Sequence, residues 1–206
     1  MKQERIPLAA GFFPAAAMGL LLLCQALFSR GILPRSVGGV ACAEALAFVP
    51  LTVLLRLLKN EAGERPRLRF RPHKRQTVWC AAALSLTAAL LAALLNCGMA
   101  LLLDGHYYTQ SITLEHYGIT GFGGLLLTAV LLPAVAEELF FRGALLSALE
   151  PYGTWPALIL SSLAFALVHG NLYNFAGPLA AGMIYGYMTY ALDSVWPAIF
   201  AHLLNN

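Results

Sequence analysis

The stretch "VWCAAALSLTAALLAALLNCGMALLL", residues 78–103, carries no charged residue. A helix of that length reaches about 39 Å at ~1.5 Å per residue, more than the ~30 Å hydrocarbon core of a bilayer. Outer-membrane strands show apolar residues at alternate positions in runs of about 10, and this run is apolar throughout. It therefore reads as a membrane-spanning helix. Similar segments recur at 6–29, 38–58, 121–149, 156–170, 174–192 and 195–206. Of the 206 residues, 59% are hydrophobic and 11% charged, against about 25% charged in soluble domains. The expected fold class is all-α, a polytopic transmembrane helical bundle of about seven hydrophobic segments forming one membrane domain over residues 1–206. The last segment covers only about 18 Å and cannot cross the core.

Charge sets the expected orientation. Eight of the thirteen basic residues lie between Arg56 and Arg75: Arg56, Lys59, Arg65, Arg67, Arg69, Arg71, Lys74 and Arg75. Positive loops stay in the cytoplasm, so the loop 56–77 is expected there. The N-terminus, with Lys2 and Arg5, falls on the same side, while Arg30 and Arg35 fall outside. Asp104–Thr120 has no Lys or Arg and is expected outside, with His106 and His116 as solvated loop residues. "RPRLRFRPHKR", residues 65–75, reads as a topology determinant that contacts anionic lipids, and no nucleic acid is expected as a partner. The expected location is the bacterial inner (plasma) membrane, multi-pass, with the N-terminus cytoplasmic. Cys24, Cys42, Cys80 and Cys97 form no C-x-x-C pair and read as free buried thiols. Gly182 and Gly186 are spaced for close helix packing.

Charged and polar side chains inside such segments are costly and ask for a reason. "AVAEELFFRG", residues 134–143, holds three of them. Residues i and i+4 share a helix face, so Glu138 and Arg142 pair and offset each other's desolvation. Glu137 points about 100° away and faces Phe140 and Phe141 at i+3 and i+4, so its partner must lie on another helix. Pro133 lacks an N–H and is expected to kink this helix. Phe165 and His169 share a face, as do His202 and Asn206. Glu137, His169, His202 and Asn206 lie about 10–20 Å from the expected cytoplasmic ends of their segments, which suits one shared site. Glu44 in "ACAEALAF" has no cation nearby in its own helix and reads as a bundle residue.

One carboxylate, two histidines and an asparagine suit activation of water and stabilisation of an oxyanion. That chemistry is acyl transfer to water, in its simplest form cleavage of a peptide bond inside the membrane. Glu137, His169 and His202 are equally a ligand set for Zn²⁺, although no H-E-x-x-H occurs and spacing does not decide between the two. A rhomboid-like serine mechanism lacks G-x-S-x-G, and an aspartyl pair is excluded because Asp104 and Asp193 sit at segment ends.

"EELFFR", "FALVH" and "HLLNN" match E-E-x-x-x-R, F-x-x-x-H and H-x-x-x-N in that order. Together they resemble the CPBP family of intramembrane proteases, which includes the type II CAAX prenyl endopeptidases. The resemblance covers residues 121–206, an expected catalytic helical core behind more variable helices over 1–120. It implies Glu137 and His169 as the water-activating pair and His202 and Asn206 as the oxyanion side. Glu138, Arg142 and Phe165 follow as supporting residues. A glutamic-type, metal-free endopeptidase is favoured, because the carboxylate and two histidines have a complete role without a metal; Zn²⁺ is the alternative. The implied partner is a membrane protein or peptide substrate, reached from the cytoplasmic leaflet. The alternative functions are a non-catalytic immunity or scaffold protein and a transporter.

Overall fold

The structure is a computed structural model and describes residues 5–33, 36–58, 64–72, 75–103 and 121–206. The expectations for Lys2, Arg35, Lys59, Lys74, His106 and His116 lie outside those residues. Among the described residues the fold is all-helical. Its elements are α1 (Arg5–Ser29), α2 (Val37–Leu57), α3 (Arg75–Leu103), α4 (Phe122–Tyr152), α5 (Thr154–Val168), α6 (Ala176–Leu192) and α7 (Trp196–Asn205). The segments read from the sequence match these within a few residues. α1 through α4 are long and apolar enough to cross a membrane. α7 has ten residues and spans about 15 Å as described, less than the ~30 Å hydrocarbon core.

α4 is not a uniform α-helix. It opens into π-helical turns over Leu126–Leu131 and Leu139–Leu145, where Leu132 N–H donates to Leu127 O and Leu146 N–H to Phe141 O. The first turn ends just before Pro133. Proline has no N–H to offer the carbonyl four residues back, and a one-residue slip reassigns the bonding. The expected kink thus takes the form of a widened turn. The second follows Glu138 directly, and the Phe141 carbonyl there also accepts a hydrogen bond from Ser161 Oγ on α5 (2.8 Å).

Lipid offers helices little reason to associate, so close packing and interhelical hydrogen bonds hold the bundle. A Cβ at Gly182 would stand 3.0 Å from Ser162 Cβ, and one at Gly186 would stand 2.9 Å from Leu158 Cδ2. The small-xxx-small pair therefore seats α6 on α5, as its spacing suggested. Ser85 Oγ on α3 donates to Ala201 O on α7 (2.6 Å). Asn96 on α3 donates to Asn174 Oδ1 (2.6 Å) and accepts from Gly177 N (2.8 Å), which ties α3 to the start of α6. The outer surface is apolar, with Trp79, Leu94, Leu102 and Phe122 exposed. All four cysteines are free, but only Cys24 is buried; Cys42, Cys80 and Cys97 lie on the surface.

Part of the basic segment is built into the fold. Residues 64–72 cross the ends of α4 and α6. Arg67 N donates to Ser147 Oγ (2.8 Å), Val195 N donates to Arg69 O (2.9 Å), and Ser194 Oγ donates to Arg71 O (2.7 Å). The buried Arg69 side chain pairs with Glu150 and with Asp193 (3.4 Å), which also takes Arg71 (2.9 Å). The loop marks one end of the bundle, where α2, α4 and α6 finish and α3, α5 and α7 begin.

Candidate active site

The predicted site residues lie on three helices and converge. Glu137 (α4), His169 (the residue after α5), His202 and Asn206 (on and just after α7) all line one cavity of about 740 Å³. α1 and α2 complete its wall with Met18, Leu21, Leu22, Phe28 and Val40. A second space of about 140 Å³ touches the first residues' other side and is lined by Phe165, His169, Tyr185, His202 and Asn206.

Behind the cavity sits a buried charge cluster. Glu138 and Arg142 are fully buried, and Glu138 Oε1 accepts from Arg142 Nη1 at 2.9 Å. The i, i+4 pair is as expected. The same oxygen also accepts from His202 Nδ1 at 2.9 Å, a contact the sequence did not reveal. Glu138 therefore joins α4 to α7 as well as neutralising Arg142. Arg142 Nε and Nη2 have no hydrogen-bond partner among the described residues. Its guanidinium instead lies over aromatic faces, 4.1 Å from the Phe165 centroid, 5.6 Å from Tyr185 and 5.8 Å from Phe141. Cation–π attraction is strongest where water is absent, which is the case here.

Phe165 is the hub of this shell. Its ring meets His169 edge-on (4.9 Å), His202 edge-on (5.8 Å) and Phe141 edge-on (5.2 Å). Tyr185 stacks on the other face of His202 at 5.8 Å. Tyr185 was not singled out by the sequence, and a tyrosine in an apolar helix was its only signal.

The ring contacts fix both imidazoles. His169 Nδ1 lies 2.8 Å from Phe165 O, and a carbonyl only accepts, so Nδ1 carries the proton. The neutral ring then presents Nε2 as an acceptor to the cavity. His202 Nδ1 faces the Glu138 carboxylate, so it too carries its proton there and leaves Nε2 free. His169 is held in one tautomer, as a positioned catalytic base requires, and His202 is oriented by its contact with Glu138.

Glu44, read from sequence as a bundle residue, lines the cavity with Glu137. Glu44 Oε2 is buried without a hydrogen-bond partner among the described residues. Its signal was its place in an apolar helix. Among the described residues no three His, Cys, Asp or Glu side chains are grouped to hold a metal ion.

The cavity lies away from the basic loop. Glu137 stands about 22 Å from the α4 end at Tyr152, and His169 about 22 Å from the α5 start at Thr154. Gly170, Asn171 and Tyr173, in the α5–α6 connection, form its rim.

Residues 119–206 match the family model described as type II CAAX prenyl endopeptidase Rce1-like. The match covers the helices that carry all three motifs and bears out the family resemblance. In general terms it supports an intramembrane protease of the CAAX type, with a membrane-associated substrate. No curated protein and no solved structure matches the chain.

Proposed function

We propose that the chain is a glutamic-type intramembrane endopeptidase that hydrolyses a peptide bond within a membrane-associated substrate. The observation that carries this reading is the convergence of Glu137, His169, His202 and Asn206 on one cavity from separate parts of the fold. Glu137, with His169 Nε2 beside it in the cavity wall, takes a proton from water. The resulting hydroxide attacks the substrate carbonyl carbon, and the π pair moves to oxygen; when the oxyanion re-forms the C=O, the C–N bond breaks and the proton held by Glu137 passes to the leaving amine nitrogen.

His202 and Asn206 face the developing oxyanion. Asn206 donates through its amide. His202 already gives Nδ1–H to Glu138, so it donates through Nε2 only as the imidazolium. Donors aimed at the developing oxyanion are often the largest single contribution to catalysis. Arg142 and Phe165 hold this arrangement from behind.

The test compares membrane and C-terminal peptide fragments from cells with wild type and with Glu137→Gln. Fragments that accumulate only with wild type identify substrates. Identical fragment sets from equally inserted proteins would remove the peptidase reading.

A further inference from the structure

Read from the sequence, ten basic residues fall on the expected cytoplasmic side: Lys2, Arg5, Arg56, Lys59, Arg65, Arg67, Arg69, Arg71, Lys74 and Arg75. Two, Arg30 and Arg35, fall on the other side in the same reading; Arg142 is inside the bundle. Positive ends stay cytoplasmic, and a ratio of ten to two leaves the orientation well determined. The cavity belongs to the other end. Its wall takes Phe28 from the last turn of α1, Val40 from the first turn of α2, and Gly170, Asn171 and Tyr173 from the α5–α6 connection. No lining residue comes from 64–72 or from the turns at 153 and 193–195.

Length adds to this. α5 covers about 22 Å from the loop end, so His169 sits within about 8 Å of the far edge of a ~30 Å core. On the loop side residues 64–72 strap the ends of α4 and α6 through Arg67, Arg69 and Arg71. The lining is also selective in charge. Glu44 and Glu137 line it, and no Lys or Arg does among the described residues. A carboxylate next to the bond to be cut would meet the Glu44 and Glu137 carboxylates in the wall.

We propose that the cavity is entered from the non-cytoplasmic side of the membrane, and that its substrates are apolar segments presenting an internal peptide bond in that leaflet. The substrate half of this proposal rests on the peptidase reading above; the access half does not. The wall formed by Met18, Leu21, Leu22 and Val168 takes the apolar side chains, and the bond meets Glu137 and His169 just below the surface. Segments left in the membrane after export of their parent chains have this chemistry.

The experiment places single reporter cysteines at exposed positions on the two ends. Leu172→Cys lies in the α5–α6 connection, and Arg65→Cys lies on the basic loop. Wild type, with its four cysteines in α1, α2 and α3, sets the background. A bulky membrane-impermeant maleimide is applied to intact spheroplasts and to inside-out vesicles. The proposal expects Leu172→Cys to be modified in spheroplasts and Arg65→Cys in inside-out vesicles. Reversal of the two, or modification of both in intact spheroplasts, overturns it.

The second readout is turnover of a quenched fluorescent apolar peptide, amidated at its C-terminus, in detergent-free proteoliposomes. Modified Leu172→Cys should lose cleavage, while modified Arg65→Cys keeps it. Equal cleavage by both modified proteins overturns entry through this mouth. If unmodified protein cuts nothing while the labels fall on the expected sides, the peptidase reading fails and the access side stands.

Discussion

Glu138 and Arg142 are the most demanding element of the fold, because both are fully buried in a membrane domain. At 2.9 Å and an effective dielectric of about 20, their gross attraction is about 6 kcal/mol. Desolvation of two ions opposes most of that, so the pair contributes little compared with an apolar pair of the same size. Removing one partner is different. Arg142→Met leaves the Glu138 carboxylate with His202 Nδ1–H as its one remaining donor and removes the cation over Phe165. The expected cost is about 3–5 kcal/mol, which at ~1.4 kcal/mol per decade is roughly 10²–10⁴ in the folded-to-unfolded ratio. Adding Glu138→Gln takes away the stranded charge, and the Gln carbonyl oxygen still accepts from His202. The double variant should recover to within about 1.5 kcal/mol of wild type. The assay is reversible unfolding of purified protein in mixed micelles across the four corners of the double-mutant cycle. Additive losses, or an Arg142→Met protein as stable as wild type, would refute the charge-compensation argument.

Three further outcomes follow from the packing. Gly182→Ala should lower both stability and turnover, since its Cβ would meet Ser162 at 3.0 Å and Arg142 Nη2 at 3.1 Å; unfolding and cleavage should fall together, with a stability loss of about 1–3 kcal/mol. Asn96→Ala strips the hydrogen bonds to Asn174 and Gly177 and should cost about 1–3 kcal/mol in the same unfolding assay, while Gly177→Ala, whose Cβ would stand 2.8 Å from Ala92 O, should cost at least as much. Arg69→Ala leaves Glu150 and Asp193 without their shared cation and should free the segment 64–72, seen as faster limited proteolysis there with little change in turnover.

The helical segments were legible because apolar length is a local property: 38–58 against Val37–Leu57, and 121–149 against Phe122–Tyr152. The π-helical turns flanking Pro133 and Glu138 were not, since a one-residue slip in bonding leaves no trace in an apolar run. Contacts within one helix were readable from its period, as with Glu138–Arg142 and Phe165–His169. Contacts between helices were not, because they depend on which helices are neighbours. His202 on Glu138, Glu44 beside Glu137 and Tyr185 on His202 all belong to that class. The pairing of Arg69 belongs there too: its carboxylate partners lie 81 and 124 residues further on, at Glu150 and Asp193.

The account turns on Glu137 as the base in the cavity. The direct measurement is single-turnover cleavage in proteoliposomes of a membrane peptide that wild type cuts, comparing wild type with Glu137→Gln at matched folding and orientation. Loss of a general base predicts a fall of about 10²–10⁴ in rate with substrate affinity kept. Cleavage by Glu137→Gln at the wild-type rate would contradict the account.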